Sequence, residues 1–233
     1  MKTIKEQTRD ASVACLVLAT VVIGVAVSLL TGCGQGDRGP AGPPGATVTA
    51  SVPTDIQNLV DDENAYRLGL GQTELSSGLS CTLYTVTGGQ FIQNDATHTP
   101  TLTGVTQVAT FLYSSSFNQL NAPISDGLNV LPAALRPVYQ NLFLLRCQGQ
   151  VVIQNTDYYQ FDLASDDGSV LYLDGARTID NDGNHGINDV TGQKYLRRGV
   201  HTFRLDFAQT GAGNQALILK ANGALIPGSV WYH

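Results

Sequence analysis

Residues 161–175 constrain this chain most. Tyr159, Phe161 and Leu163 alternate with Gln160, Asp162 and Ala164, the period-two pattern of a half-buried strand. Ser165, Asp166, Asp167 and Gly168 then interrupt the pattern, and Val170, Leu171, Tyr172 and Leu173 form a second apolar run ending at Asp174-Gly175. This is a strand, an acidic turn, a second strand and a second acidic turn. Two adjacent carboxylates at a tight turn repel each other and raise each other's proton affinity. A hard cation held by oxygen ligands relieves that repulsion, which makes Asp166 and Asp167 candidate Ca²⁺ ligands. The other reading is a plain Asp-Asp-Gly turn whose carboxylates cap backbone N–H groups.

The rest of the chain extends the strand pattern. Phe203, Leu205 and Phe207 alternate with Thr202, Arg204 and Asp206, and residues 215–221 and 230–232 read as closing strands. Pro132 and Pro137 bracket a short helical turn at most. Short strands joined by glycine-rich turns predict an all-β chain, an antiparallel β-sandwich over residues 73–233. Ahead of it, Thr54-Asp55-Ile56-Gln57 has the form of a capping box. Ile56, Leu59, Val60, Glu63 and Tyr66 follow at helical spacing, and Gly69 and Gly71 are stop signals, so an amphipathic helix is expected over 54–72.

Ser165-Asp166-Asp167-Gly168 followed by Leu171-Tyr172-Leu173-Asp174-Gly175 resembles the signature of the lectin-like β-sandwich named for anthrax toxin protective antigen. That domain recurs in yeast flocculins and adhesins and as an insert in bacterial glycosidases. The resemblance runs from about Gly78 to Trp231. The loop from Ile179 to Gly186 and the strand from Tyr195 to Gln209, with Gly199 and His201, are similar to later family motifs. In the sugar-binding yeast members the adjacent aspartates, joined by an often-cis bond, hold Ca²⁺, and a second loop completes the site. Here Asp166 and Asp167 match the aspartate pair, and residues 209–214 match the second loop. The yeast members place an Asn just after the strand, where this chain has Gln209 and Thr210; its nearest Asn is Asn214. The resemblance implies a glycan ligand gripped by Asp166 and Asp167, with Asp182, Asn184, His185, Gln209, Thr210 and Asn214 around it. His201, at the start of a strand, reads as structural. Asp180, Asp182 and Asn184 also look like the start of an EF-hand loop, but His185 and Thr191 stand where Gly and Glu are required.

The N-terminus adds an address. Lys2, Lys5 and Arg9 precede an uncharged apolar run over 11–30, and Leu30-Thr31-Gly32-Cys33 follows. This reads as a secretory signal over 1–32; its end resembles the bacterial lipobox, which implies lipidation of Cys33. An uncleaved span is the other reading. By resemblance to Gram-negative lipoproteins, Gly34 in place of Asp implies the outer membrane or cell surface. Glycines 36, 39, 42 and 45 with intervening prolines give a collagen-like tether over 33–53. Four triplets are too few for a stable triple helix alone, so this disordered tether reads as a stiff spacer; a trimerising stalk, and thus a homotrimer, is the alternative.

With 42% hydrophobic and 14% charged residues the chain is globular in composition. Its net charge is −6, and becomes −7 once three basic and two acidic residues leave with the signal. The ten remaining basic residues form no cluster, which argues against nucleic-acid partners. Cys81 and Cys147 are an even pair in an exported chain and are expected to form a disulfide. No nucleophile-elbow, zinc-protease or phosphate-loop motif is present, and Asp166 and Asp167, being adjacent, cannot flank a glycosidic bond. The expectation is a non-catalytic, glycan-binding surface lipoprotein. The alternative is a structural or protein-binding module of the cell envelope.

Overall fold

The structure, a computed structural model, describes residues 54–86, 105–140, 142–211 and 213–233. The signal segment, Cys33 and the spacer lie outside them. Among the described residues, no helix is long and apolar enough to cross a membrane.

Helix α1 spans Thr54–Gly69. Ile56 and Val60 are buried and Leu59 packs beside them, but Tyr66 is 65% exposed. The apolar stripe is therefore a single turn, shorter than the spacing suggests, and the helix stops three residues before the expected boundary. Gln57 donates forward to Asp61 at 2.8 Å. Asp55 takes a two-pronged hydrogen bond from Arg198, at 2.7 and 2.9 Å, which docks the helix on the sandwich.

Twelve strands follow: β1 Leu79–Val86, β2 Val105–Tyr113, β3 Asn118–Pro123, β4 Phe143–Ile153, β5 Asp157–Asp166, β6 Ser169–Leu173, β7 Ala176–Asn181, β8 Asn188–Leu196, β9 Gly199–Gln209, β10 Asn214–Ala221, β11 Ala224–Leu225 and β12 Trp231–Tyr232. They form two antiparallel sheets. One runs β2-β1-β4-β9-β6-β7, with β12 also on β4; the other runs β11-β10-β5-β8, with β3 also on β10. The expected antiparallel β-sandwich is what the chain forms.

The period-two phase puts Phe161, Leu163, Phe203, Leu205, Phe207, Leu217 and Leu219 between the sheets, each at most 3% exposed. Trp231 anchors one end, with its ring 4.7 Å from Phe203 and 6.1 Å from Phe117. Burying each such side chain contributes about 1.5–3 kcal/mol. Cys81 and Cys147 stand directly opposite on β1 and β4, with Cα atoms 4.0 Å apart, and are bonded.

The outward phase departs from expectation at one place. Asp206, on the outward phase of β9, has no exposed surface and accepts from Arg146 at 2.7 and 3.0 Å. Alternation fixes which face a residue occupies but says nothing about whether that face is covered. Burial works to lower the Arg146 pKa; the Asp206 hydrogen bond and charge outweigh it and hold Arg146 above its usual value.

Candidate functional site

β5 delivers Asp166 and Asp167 to one end of the sandwich, and the peptide bond between them is cis. Gly168 is required immediately after. A Cβ there would lie 2.8 Å from Asp182 Oδ1 and from the Gly183 nitrogen, so only glycine lets the loop after β7 rest on the turn.

The two carboxylates have different surroundings. Asp167 is 4% exposed. Its Oδ2 accepts three hydrogen bonds from the loop after β9: from Thr210 N–H at 2.8 Å, Thr210 Oγ1 at 3.1 Å and Gly211 N–H at 3.2 Å. That is the backbone-capping role open to an Asp-Asp-Gly turn. No hydrogen bond among the described residues reaches the Asp166 carboxylate. Its proton affinity is raised, first by burial and then by the charge of Asp167, with His185 opposing both.

A shallow cavity of about 200 Å³ opens beside them, lined by Asp166, Asp167, Asn184, His185, Gln209 and Asn214 together with loop glycines. Of the expected ligand residues, the structure therefore brings Asn184, His185, Gln209 and Asn214 to the aspartate pair. Thr210 is instead occupied in bonding Asp167, and Asp182 packs against Gly168 without lining the cavity. Gln209 is 1% exposed; its amide donates to Gly211 O at 3.3 Å, and its buried Oε1 has no partner among the described residues. His185 lies between two backbone carbonyls, Gly186 O at 2.8 Å and Asn181 O at 3.0 Å. His201 is structural as expected, bridging Asp174 Oδ2 and Arg197 O.

Sequence reasoning missed the scaffold beneath. Asn181 is 3% exposed and its Nδ2 donates to Ser165 Oγ at 2.9 Å and Asn188 O at 3.0 Å. Asn188 Nδ2 donates back to Asn181 Oδ1 at 2.7 Å, and Ser165 and Ser169 share a 2.7 Å hydrogen bond. This network ties β5, β6, β7 and β8 together under the turn. Ser165 continues the inward phase of Phe161 and Leu163, and a polar residue on that phase was the available signal.

Burial raises Asp182 to about 6; the Gly183 N–H, at 2.9 Å from Oδ1, opposes it, and the charge of Asp180 adds to it. The folded state thus holds this proton more tightly than the unfolded chain does. The group's contribution is fully present below the ordinary carboxylate range and is lost as pH rises through about 6. Asp182→Asn keeps the Oδ1 acceptor and removes the charge. The variant is expected to melt higher than the parent at pH 7, with the gap closing by pH 4. Parallel melting curves at both pH values would contradict this assignment.

Among the described residues, no group of three or more His, Cys, Asp and Glu side chains is placed to hold a metal ion. A cation here would need amide or backbone oxygens as well. The donors present include both kinds: the Asp166 carboxylate, the second oxygen of Asp167 and the amide Oε1 of Gln209 are hard oxygens suited to Ca²⁺.

The sequence profile of the PA14 domain matches residues 136–223. No curated protein matches the chain. Among solved structures, the PA14 domain of MpAFP antifreeze protein is 16% identical with a TM-score of 0.50, covering 68% of this chain and 92% of that one. The PA14 sugar-binding domain from an RTX adhesin is 16% identical with a TM-score of 0.48, covering 68% and 99%. The epithelial adhesin 9 A domain from Candida glabrata, solved with Galβ1-3GlcNAc, is 11% identical with a TM-score of 0.43, covering 63% and 82%. At such identities the likeness is one of fold, and the first of the three supports it. The described part of the chain has a β-sandwich fold like that of PA14 domains, whose profile matches residues 136–223.

Proposed function

We propose that this chain is a non-catalytic carbohydrate-binding module whose site is the acidic tip, with Ca²⁺ held between protein and sugar. The supporting observation is the Asp166 carboxylate, without a hydrogen bond among the described residues, beside Asp167, Asn184, His185, Gln209 and Asn214 in one shallow cavity. Vicinal hydroxyls suit this set of oxygens and amides. When bound, Ca²⁺ would supply positive charge and open coordination positions for two hydroxyls; Asp166, Asp167 and Gln209 would hold it. The chain's own residues do the rest. Asp167 fixes the loop at Thr210 and Gly211, and Asn184 and Asn214 border the opening. The cavity is small and polar, so affinity per site should be weak, and display of many copies on a surface would compensate.

The test is a glycan panel probed with intact protein in Ca²⁺, in chelator, and as Asp166→Ala. That variant leaves the Asp167 bonds to the loop in place, so it should fold. Binding lost in chelator and in the variant is the expected result. Equal signals in all three arms would overturn the reading in favour of a protein-binding envelope module.

The same proposal places the module on a lipid anchor at Cys33, on the outer membrane or cell surface, because Leu30-Thr31-Gly32-Cys33 closes the apolar run. Cys33→Ser should then leave the membrane fraction; a variant that still sediments with membranes would contradict the anchor.

A further inference from the structure

A second cavity lies away from the acidic turn, on the outer face of the seven-stranded sheet. Its volume is about 420 Å³, within the range of about 300–1,000 Å³ common to small-molecule sites. Strand register explains its contents. Arg177, Tyr172, Arg204, Gln148 and Ser80 are directly opposed across β7, β6, β9, β4 and β1, so they share one face. Val170, Asp206, Arg146 and Thr82 form the adjacent row, and Thr202 opposes Gln150 on the other side.

Three arginines and three aspartates meet on and beside this face. Arg146 holds Asp206 through two hydrogen bonds, and Arg177 is paired with Asp180. Asp174, beside Thr202, is paired with His201, and Arg204 shares Asp206 with Arg146. The Arg204 guanidinium lies 3.8 Å over the Tyr172 ring, which fixes the plane of the fork. Its Nε lies 3.4 Å from Asp206 Oδ2, within ion-pair range, yet the buried Nε has no acceptor in hydrogen-bond geometry among the described residues. Asp206 has already given its oxygens to Arg146. Among the described residues lining the cavity there is no Asp or Glu side chain. The lining thus offers one guanidinium, and no carboxylate side chain, among hydroxyl and amide groups.

We propose that this cavity binds an acidic saccharide, with Arg204 receiving the carboxylate of a uronic acid. A planar carboxylate matches the guanidinium fork. Ser80, Gln148, Gln150 and Thr202 supply the hydroxyl and amide groups that a polyol ring needs, and Tyr172 backs the arginine. The site is separate from the acidic tip, needs no cation, and stands or falls independently of the reading given to Asp166 and Asp167.

The experiment uses the full chain with a galacturonic acid trisaccharide and its methyl ester, followed by calorimetry and amide chemical shifts. The free acid should bind in chelator and shift Gln148, Gln150 and Thr202, while the ester, larger by one methyl group per residue and uncharged, should not bind. Arg204→Gln should weaken the acid roughly tenfold or more, since it removes a charge-assisted bond. Arg204→Lys, which keeps the charge and loses the fork, should fall between and guards against a misfolded Gln variant. Equal binding of acid and ester would overturn the proposal. So would loss of binding in chelator, or shifts confined to 166–167 and 209–214, which would move the acid to the tip.

Discussion

Removing the Cys81–Cys147 bond is expected to lower the melting temperature by about 10 °C. The bond closes 66 residues of chain. Loop-closure entropy for that length amounts to about 4 kcal/mol lost from the unfolded state's freedom. For a sandwich of this size about 2–4 °C accompanies each kcal/mol. Both cysteines are at most 1% exposed, so reductant reaches them only through opening. The comparison is therefore protein unfolded, reduced and refolded in reductant against oxidised protein, followed by thermal melting. The doubly substituted Cys81→Ala, Cys147→Ala form should fall further, because it also leaves a small cavity. A reduced protein that melts within about 3 °C of the oxidised one would mean that the two strands hold their register without the bond. That register is extensive: β4 pairs with β9 over eleven residues, and β1 pairs with β4 over six. The bond's contribution should thus appear in the unfolded state and leave the native shape unchanged.

The sandwich was legible because each strand solves the same local problem. Phe203, Leu205 and Phe207 must face one way, and the neighbouring strand β4 must do likewise with Leu145 and Cys147. The turn was legible because Asp166, Asp167 and Gly168 leave few alternatives: two charges need donors or a cation, and the glycine needs a neighbour too close for a side chain. What could not be read depends on which distant segment arrives. Asp206 looks like an ordinary outward carboxylate until Arg146 closes over it from β4. Thr210 looks like a ligand residue until its N–H and hydroxyl both turn toward Asp167. Tyr66 fits the helical stripe, yet the sandwich surface meets only the first turns of α1, so the ring stays in solvent. Spacing reports the face of an element, and only tertiary contact reports what that face meets.

Asp167→Ala is expected to be the most damaging single change at the tip. The carboxylate is 4% exposed and one of its oxygens accepts three hydrogen bonds from Thr210 and Gly211. Alanine strands two backbone N–H groups and a hydroxyl at the end of β9, and desolvated donors without partners cost about 1–3 kcal/mol each, with some relief from entering water. A net loss of about 3 kcal/mol, or roughly 6–12 °C, is the expectation. Hydrogen exchange should localise the damage to residues 209–211 and leave β4 and β9 protected. Repeating the melt in Ca²⁺ and in chelator separates two physical causes. If the hydrogen bonds alone hold the loop, parent and variant differ by the same amount in both buffers. If a cation also bridges Asp166, Asp167 and Gln209, only the parent gains from Ca²⁺, and the gap widens by the parent's gain alone. A variant that melts with the parent in both buffers would show that the loop after β9 is held by its own strand ends and that Asp167 is dispensable to it.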